Sequence, residues 1–263
     1  MSSDITLCCS SWSYHRSFEA GQFTLPDWIR FCRSELELEA IEIESGHFPA
    51  TTSKALTEIR KLIEDNQLSL ADVTTFNDFG FVADEQNRSE LDKVFHWIDI
   101  ARELGSSLLR VFAGWPKGQR ELQWNNMLDY LRRAANYAGE RGITLVLENH
   151  NHGGFIRTAE DALCALQAVA SPFLRLNLDT GNYIDGMVSI EKTVHLARHV
   201  HAKLLQLDGA GREIHIDHAR VLELLRRAGY RGFFSAEYEG DEAEQSAVPR
   251  GLRYLRNVLS EKA

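Results

Sequence analysis

The chain has 263 residues, a formal net charge of −9 and a pI near 5.6. This acidic balance argues against a protein that binds nucleic acid through a basic face, so we expect no nucleic-acid partner. No apolar run approaches the roughly 18 residues of a membrane helix, and no membrane partner is expected either. The length is close to the roughly 250 residues that a single α/β barrel needs.

The four cysteines, Cys8, Cys9, Cys32 and Cys164, show no metal-ligand spacing. We interpret them as reduced, small core residues of a cytoplasmic protein. The N-terminal segment lacks the basic stretch followed by an apolar run that marks a signal peptide, which agrees with that expectation.

Apolar runs rich in β-branched residues alternate along the chain with longer segments of helical period. The predicted strands are 5–11, 40–45, 68–76, 107–114, 143–149, 174–180, 200–207 and 232–238. The predicted helices are 26–36, 51–66, 89–105, 121–142, 158–169, 189–199, 216–230 and 242–262. Eight strand–helix units without a Pro/Gly/Ser-rich linker favour an α/β fold, a single (β/α)₈ TIM barrel formed as one domain over residues 1–263. An open, doubly wound parallel sheet is the structural alternative.

Several local signals support the predicted helix boundaries. Pro26 suits a first helical turn, and Gly105 is a stop signal. Thr158 with Asp161 has the spacing of a capping box. Pro249 predicts a kink or a boundary inside the last helix.

Ligand-capable side chains follow four successive predicted strands. Glu148, Asp179, His201 and Glu237 stand at or near the carboxyl ends of strands five to eight. In a parallel barrel these ends converge on one mouth. Carboxylate oxygens and an imidazole nitrogen are suitable ligands for Mn²⁺, Mg²⁺, Co²⁺ or Zn²⁺, so we predict a divalent metal ion at this mouth.

Electrostatics supports the same hypothesis. Three carboxylates that converge in a low-dielectric site repel one another, and one of them would have to take up a proton if no cation were present. A divalent cation removes that conflict. Any one of these residues alone would more often be a solvated residue at the start of a loop.

Other candidates near the mouth are less specific. His47 and Glu44 follow strand two, and Trp12 and Trp115 follow strands one and four, where aromatic rings could wall a sugar. A loop histidine and core aromatic residues are the plain alternatives.

His150 and Lys203 share strand parity with Glu148 and His201, so we predict that both contact substrate. A surface lysine is the plain alternative for Lys203. His152 is predicted to be a solvent-exposed bystander.

Four motifs resemble one known family over the whole order of elements. They are "VLENH" (146–150), "NLDTGN" (177–182), "HVHAK" (199–203) and "GYRGFFSAEYEG" (229–240). The chain resembles the sugar phosphate isomerase/epimerase group of xylose isomerase-like TIM barrels, which includes ketose 3-epimerases, hydroxypyruvate isomerase and inosose dehydratase. The resemblance implies that Glu148, Asp179, His201 and Glu237 are the metal ligands and that Glu148 and Glu237 are the catalytic acid/base pair.

The chain also departs from that pattern. Asn182 stands where many ketose epimerases have a histidine, and Gly154 stands where many have a second glutamate. We expect Asn182 to contact substrate. The departures leave open which sugar is used and whether it is phosphorylated.

The resemblance implies a metal-dependent isomerase or epimerase that acts on a sugar or sugar-like hydroxy-carbonyl compound through proton abstraction and an ene-diolate. The same site could serve a lyase or dehydratase, either like inosose dehydratase or one that eliminates from a keto-glycoside. A non-catalytic carbohydrate-binding barrel is the alternative of another class. The expected partner is a small sugar, and a homo-oligomer is left open.

Overall fold

The computed structural model describes residues 5–150 and 152–261, and within them eight parallel strands form a closed barrel. The strands follow one another around the barrel in chain order, and β8 pairs with β1 to close it. The predicted (β/α)₈ barrel is therefore confirmed, and the open sheet is wrong. Residues 1–4, on which the expectation of no signal peptide partly rests, lie outside the described part.

The strands are short and contribute their ends to one mouth. They are β1 Thr6–Ser10, β2 Ala40–Glu44, β3 Ser69–Thr74, β4 Leu108–Val111, β5 Thr144–Glu148, β6 Leu174–Asp179, β7 Ala197–Leu204 and β8 Phe233–Tyr238. The helices are α1 His15–Glu19, α2 Leu25–Ser34, α3 Ser53–Asp65, α4 Asp84–Leu104, α5 Arg120–Glu140, α6 Ala159–Val169, α7 Met187–Thr193, α8 His218–Arg227 and α9 Glu244–Ser260.

Alternation along each strand separates an apolar layer from a polar barrel interior. In β2, Ile41 and Ile43 pack in the main apolar core. Glu42 lies between them, and its carboxylate reaches His199 of β7. Because β2 and β7 are not neighbours, this contact crosses the barrel interior. The residues on the inner face of the strands can therefore form one polar site.

Local signals explain several helix boundaries. The Thr158 hydroxyl accepts a hydrogen bond from the amide of Asp161, whose carboxylate accepts one from Thr158 in return, so the predicted capping box is confirmed. Gly105 ends α4 in the left-handed conformation with φ of 83°. Helix α9 continues through Pro249, so no boundary occurs there.

Three local predictions need correction. The predicted helix 189–199 stops at Thr193, and after a 3₁₀ turn over Val194–Leu196 strand β7 begins at Ala197. Pairing with β6 determines this, since His199 lies opposite Asn177 in the sheet, and tertiary pairing outweighs the local helical pattern. Cys164 is exposed on α6 and is not a core residue.

The ends of two further elements also differ from the prediction. Residues 11–19 form a 3₁₀ turn and the short helix α1, which the sequence pattern did not indicate. Helix α4 begins at Asp84, five residues before the predicted start at residue 89. Among the helices of residues 5–150 and 152–261, none combines the length and apolarity needed to cross a membrane.

Candidate metal and substrate site

Four side chains predicted as metal ligands meet at the mouth of the barrel. Glu148 ends β5, Asp179 ends β6, His201 lies in β7 and Glu237 lies in β8. All four are buried, and one ligand atom from each lies within 4.8 Å of the others. We call these four residues the cage. Convergence of the strand ends has thus brought together Glu148 and Glu237, which are 89 positions apart in the sequence.

The chemistry of the cage fits a divalent cation. The Nδ1 atom of His201 lies 3.3 Å from Glu237 Oε2, 3.4 Å from Glu148 Oε2 and 3.8 Å from Asp179 Oδ2. His201 Nδ1 is buried and has no hydrogen-bond partner among the residues that the structure describes. Buried polar atoms without such partners are uncommon, and oxygen with imidazole is a suitable donor set for a divalent ion.

Two buried cations also lie against the cage. Lys203 Nζ is 3.0 Å from Asp179 Oδ2, and it forms a further ion pair with Glu237. Arg110 Nε is 3.1 Å from Glu148 Oε2. Lys203 is 2% exposed, so the surface-lysine alternative is wrong. These two cations neutralise part of the charge of the carboxylates, a contribution that the electrostatic argument from the sequence did not include.

The two glutamates of the cage sit in different electrostatic surroundings. Burial raises the pKa of Glu148 to about 7, although the Arg110 guanidinium opposes the shift. Burial also opposes ionisation of Glu237, but Lys203 and His201 outweigh it and hold the pKa of that carboxyl well below its usual range. Two carboxyl groups whose pKa values are pushed apart in this way suit opposite proton-transfer roles.

A cavity of about 210 Å³ opens above the cage. Its walls carry aromatic rings, carboxylates and the two cations described above. The lining residues are Trp12, Glu44, Phe76, Arg110, Phe112, Glu148, His150, His152, Asn182, Lys203, Glu237 and Glu239. Four residues predicted as substrate contacts, Trp12, His150, Asn182 and Lys203, are therefore present in its wall.

Two other predicted substrate contacts do not line this cavity. The imidazole of His47 stacks on Phe18 with ring centroids 3.8 Å apart, and its Nδ1 lies 2.8 Å from the hydroxyl oxygen of Ser11. Trp115 stacks on the cavity residue Phe76 at 5.4 Å. Trp115 thus packs behind a residue of the cavity wall, and substrate contact by His47 and Trp115 stays a prediction.

His152, predicted to be a bystander, lies in the wall of the cavity. It is exposed, as expected, but it lines the cavity beside His150, with ring centroids 5.0 Å apart. Burial lowers the pKa of His150 to about 4, so its imidazole is neutral near pH 7.

Arg110 and Glu239 were not identified from the sequence, although both line the cavity. Glu239 Oε1 accepts a hydrogen bond from the Trp12 indole at 2.8 Å, and its Oε2 lies 3.2 Å from Lys203 Nζ. Strand parity could have identified both residues. Glu239 follows Glu237 by two positions, and Arg110 is a lone charge in an apolar strand.

Comparison with known proteins agrees with this architecture. Residues 33–258 match the family model described as xylose isomerase-like TIM barrel. An inosose dehydratase from Geobacillus thermodenitrificans is 27% identical over 166 residues, which are 52% of this chain and 55% of that protein. The match thus spans about half the length of this curated relative.

Two solved structures share the fold at low identity. D-psicose 3-epimerase from Clostridium cellulolyticum H10, with D-tagatose, superimposes with a TM-score of 0.81 at 16% identity, covering 97% of this chain and 99% of that one. A xylose isomerase-like TIM barrel protein from Mycobacterium smegmatis in complex with magnesium superimposes with a TM-score of 0.74 at 18% identity, covering 99% of both chains. With a family match over most of its length, the chain belongs to the xylose isomerase-like TIM barrel family.

Proposed function

We propose that the protein is a divalent-metal-dependent isomerase or epimerase of a sugar-like hydroxy-ketone. The observation that carries this proposal is the pair of buried glutamates, Glu148 and Glu237, held with Asp179 and His201 in one cage that opens into a cavity. The two glutamates come from strands on different sides of the mouth. They are therefore placed to approach a substrate from two directions.

The cage residues Glu148, Asp179, His201 and Glu237 would hold the metal ion. When bound, a divalent cation supplies Lewis-acid polarisation of the substrate's carbonyl and hydroxyl oxygens. The buried His201 Nδ1, which has no hydrogen-bond partner in the described part of the chain, supports this assignment. The metal's identity is left among Mn²⁺, Mg²⁺, Co²⁺ and Zn²⁺.

In this proposal, Glu237 removes the proton next to the carbonyl group. Its low pKa keeps it ionised, and its close contacts with Lys203 and His201 involve Oε2. Oε1 is therefore the atom we assign to the substrate proton. A base needs to come within hydrogen-bond reach of that proton, and Glu237 lines the cavity where the substrate would lie.

Glu148 returns a proton to the other side of the resulting ene-diolate. Burial raises its pKa to about 7 in the metal-free protein, and a divalent cation bound in the cage would lower that pKa. Asn182 Nδ2 donates to Glu148 Oε1 at 3.2 Å, which orients the carboxyl group. Return of the proton to the same carbon gives epimerisation, and return to the neighbouring carbon gives isomerisation.

The cavity wall supplies groups for the substrate's hydroxyls. The neutral His150 imidazole can donate or accept a hydrogen bond, and the Glu239 carboxylate, held by Lys203, can accept one. Trp12 offers an apolar ring face whose orientation is fixed by its hydrogen bond to Glu239. This mixture of one aromatic face and several polar groups suits a small polyhydroxylated compound.

A dehydratase is the second candidate, favoured by the 27% identity to an inosose dehydratase. Proton removal by the same glutamate would then be followed by loss of a hydroxide or alkoxide from the next carbon. The proton at Glu148 would go to that leaving group. The two candidates therefore share residues and differ in the product.

Deuterium incorporation tests the shared first step. The Mn²⁺-loaded protein is incubated in D₂O with a panel of ketoses and with inosose, and the products are analysed by NMR and mass spectrometry. We expect incorporation next to the carbonyl in at least one compound and a rate about 10²–10⁴-fold lower in Glu237→Gln and Glu148→Gln. Glu58→Gln, which changes an exposed residue of α3 that is absent from the cavity wall, is the matched control and should keep the rate.

The same experiment can refute the proposal. If no divalent ion binds, and if Glu237→Gln leaves the binding of every compound unchanged, the chain is a non-catalytic barrel. Formation of an unsaturated product without any deuterated ketose would contradict the isomerase proposal and favour the dehydratase.

A further inference from the structure

A second polar group lies beneath the cage, in the barrel interior. Glu42 of β2 and His199 of β7 are both completely buried and are absent from the cavity wall. Glu42 Oε2 lies 2.6 Å from His199 Nε2 and 3.1 Å from His201 Nε2. One carboxylate oxygen therefore faces a ring nitrogen of each histidine.

These contacts determine which nitrogen of His201 is available at the cage. An ionised carboxylate only accepts hydrogen bonds, so a ring nitrogen that binds it must carry the hydrogen. In neutral His201 the hydrogen then lies on Nε2, and Nδ1 keeps its lone pair. Nδ1 is the atom that lies 3.3–3.8 Å from the carboxylates of Glu237, Glu148 and Asp179.

We propose that Glu42, itself anchored by His199, is a positioning residue that holds His201 with the Nδ1 lone pair directed into the cage. This inference rests on the metal-binding role of the cage in the proposed function. A carboxylate that orients a metal-bound histidine fixes its ring and raises its basicity, and loss of such a partner weakens metal binding by about 10–100-fold.

Asn177 presents a competing arrangement. Its Nδ2 atom lies 3.2 Å from His201 Nε2 and 3.1 Å from Glu148 Oε2. If His201 Nε2 accepted a hydrogen from Asn177, Nδ1 would carry the proton and could not bind a metal. Hydrogen bonds to an ionised group are roughly twice as strong as neutral ones, which favours Glu42 as the partner of Nε2 and Glu148 as the partner of Asn177.

A second metal ion shared by Glu42, His199 and His201 is the other competing arrangement, because their ligand atoms also cluster. Two ligand atoms about 2.0–2.2 Å from one tetrahedral ion are separated by about 3.3–3.6 Å. The 2.6 Å between Glu42 Oε2 and His199 Nε2 is shorter than that and is an ordinary hydrogen-bond length. We therefore assign this group to hydrogen bonding.

The test uses the full chain loaded with Zn²⁺, which is diamagnetic. In ¹⁵N-histidine-labelled protein, the ring signals of His201 are identified by their loss in His201→Gln, and we expect the hydrogen on Nε2. Zn²⁺ affinity is measured by competition with a chelator. We expect one ion per chain and about 10–100-fold weaker binding in Glu42→Gln.

Asp72→Asn is the matched control. Asp72 lies opposite Glu42 on β3, is equally buried and makes no hydrogen bond to His201. Burial and the neighbouring Glu42 charge raise the pKa of Asp72 well above its usual range, so asparagine closely resembles its neutral carboxyl. We expect its Zn²⁺ affinity to stay within about threefold of the unmodified chain, well outside the loss expected for Glu42→Gln.

Each outcome decides the inference. An equal loss of affinity in Glu42→Gln and Asp72→Asn, or two ions per chain, would overturn it while leaving the proposed function intact. A hydrogen on Nδ1 would overturn it together with the place of His201 in the cage, and this outcome can be observed even if Glu42→Gln fails to fold, because the tautomer is measured without substituting Glu42. Absence of Zn²⁺ binding by the unmodified chain would overturn both the inference and the proposed function.

Discussion

Replacing Lys203 by methionine removes the ammonium group that lies among three carboxylates at the mouth. Its Nζ contacts Asp179 and Glu237 and lies 3.2 Å from Glu239 Oε2, and the side chain is 2% exposed. Removal of one partner from a buried ion pair destabilises a protein by about 3–5 kcal/mol, because the remaining charge is left uncompensated. We expect a loss of that size from the free energy of unfolding of metal-free Lys203→Met.

A metal ion in the cage should reduce this loss. It would supply positive charge to Asp179 and Glu237, which are two of the carboxylates that Lys203 contacts. If the loss falls by about 2 kcal/mol on metal binding, the thermodynamic cycle requires Lys203→Met to bind the metal about 30-fold more tightly than the unmodified chain, since about 1.4 kcal/mol is a factor of ten. The change in the free energy of unfolding and the change in metal affinity thus measure the same interaction between Lys203 and the metal ion.

Urea unfolding in EDTA and in Mn²⁺, together with Mn²⁺ titration of both proteins, measures the cycle. Lys54→Met is the control, since Lys54 is exposed and lies 4.0 Å from Glu58, so its unfolding midpoint should not change. An equal loss of stability with and without Mn²⁺, combined with unchanged Mn²⁺ affinity, would refute the view that Lys203 and the metal neutralise the same carboxylates.

Three further predictions concern the scaffold. Burial lowers the pKa of His218 from 6.5 to about 4, so its contribution to stability is present above pH 6.5 and is lost as the pH falls. The free energy of unfolding, measured with urea in EDTA, should therefore fall by about 2 kcal/mol less between pH 7 and pH 5 in His218→Phe than in the unmodified chain. The same pH dependence in both proteins would contradict this prediction. Thr158→Ala loses the capping box of α6 and should lower the free energy of unfolding by about 1 kcal/mol, whereas an unchanged urea midpoint would mean that the cap contributes nothing. Gly114 has φ of 97°, and a Cβ there would overlap Asp78 and Phe79, so Gly114→Ala should lower the free energy of unfolding by about 2–6 kcal/mol through backbone strain and overpacking. Gly142 has φ of 71° and open space around it, so Gly142→Ala should lower the free energy of unfolding only by the strain component of about 1–3 kcal/mol. Equal losses in the two variants would exclude a packing effect at Gly114.

The barrel and the cage could be predicted from the sequence because both depend on regular patterns. Apolar runs rich in β-branched residues identified the strands, and closure of a parallel barrel places their carboxyl ends at one mouth. Glu148, Asp179 and Glu237 come at those ends whatever the loops do. The cage is therefore predictable without knowledge of any loop conformation.

The wall of the cavity could not be predicted in the same way, because loop residues have no such periodicity. His47 and Trp115 follow strands as predicted, yet the first turns towards Ser11 and the second packs behind Phe76. Ion pairs between residues of different strands are equally difficult to predict, because the partners are far apart in the sequence. Arg110 pairs with Glu148 of the adjacent strand and with Glu44, two strands away.

The incorrect prediction of where strand β7 begins left His199, which lies beneath the cage, out of the candidate site. With the strand beginning at Ala197, parity places His199, His201 and Lys203 on the same inner face. The three lie at successive levels: His199 contacts Glu42 below the cage, His201 lies between Glu42 and the cage, and Lys203 contacts the carboxylates at its mouth. A prediction that continued the helix to residue 199 removed the first of the three from consideration.

The departures from the family pattern, Gly154 and Asn182, lie at or next to the cavity wall. A Cβ at Gly154 would lie 3.1 Å from the carbonyl oxygen of His150 and 3.4 Å from that of Gly114, so this loop would have to shift by a few tenths of an ångström to accept a side chain there. Asn182 is directed at Glu148. The two positions that carry a glutamate and a histidine in many ketose epimerases are thus occupied here by a closely packed loop and by an internal hydrogen bond to a residue of the cage.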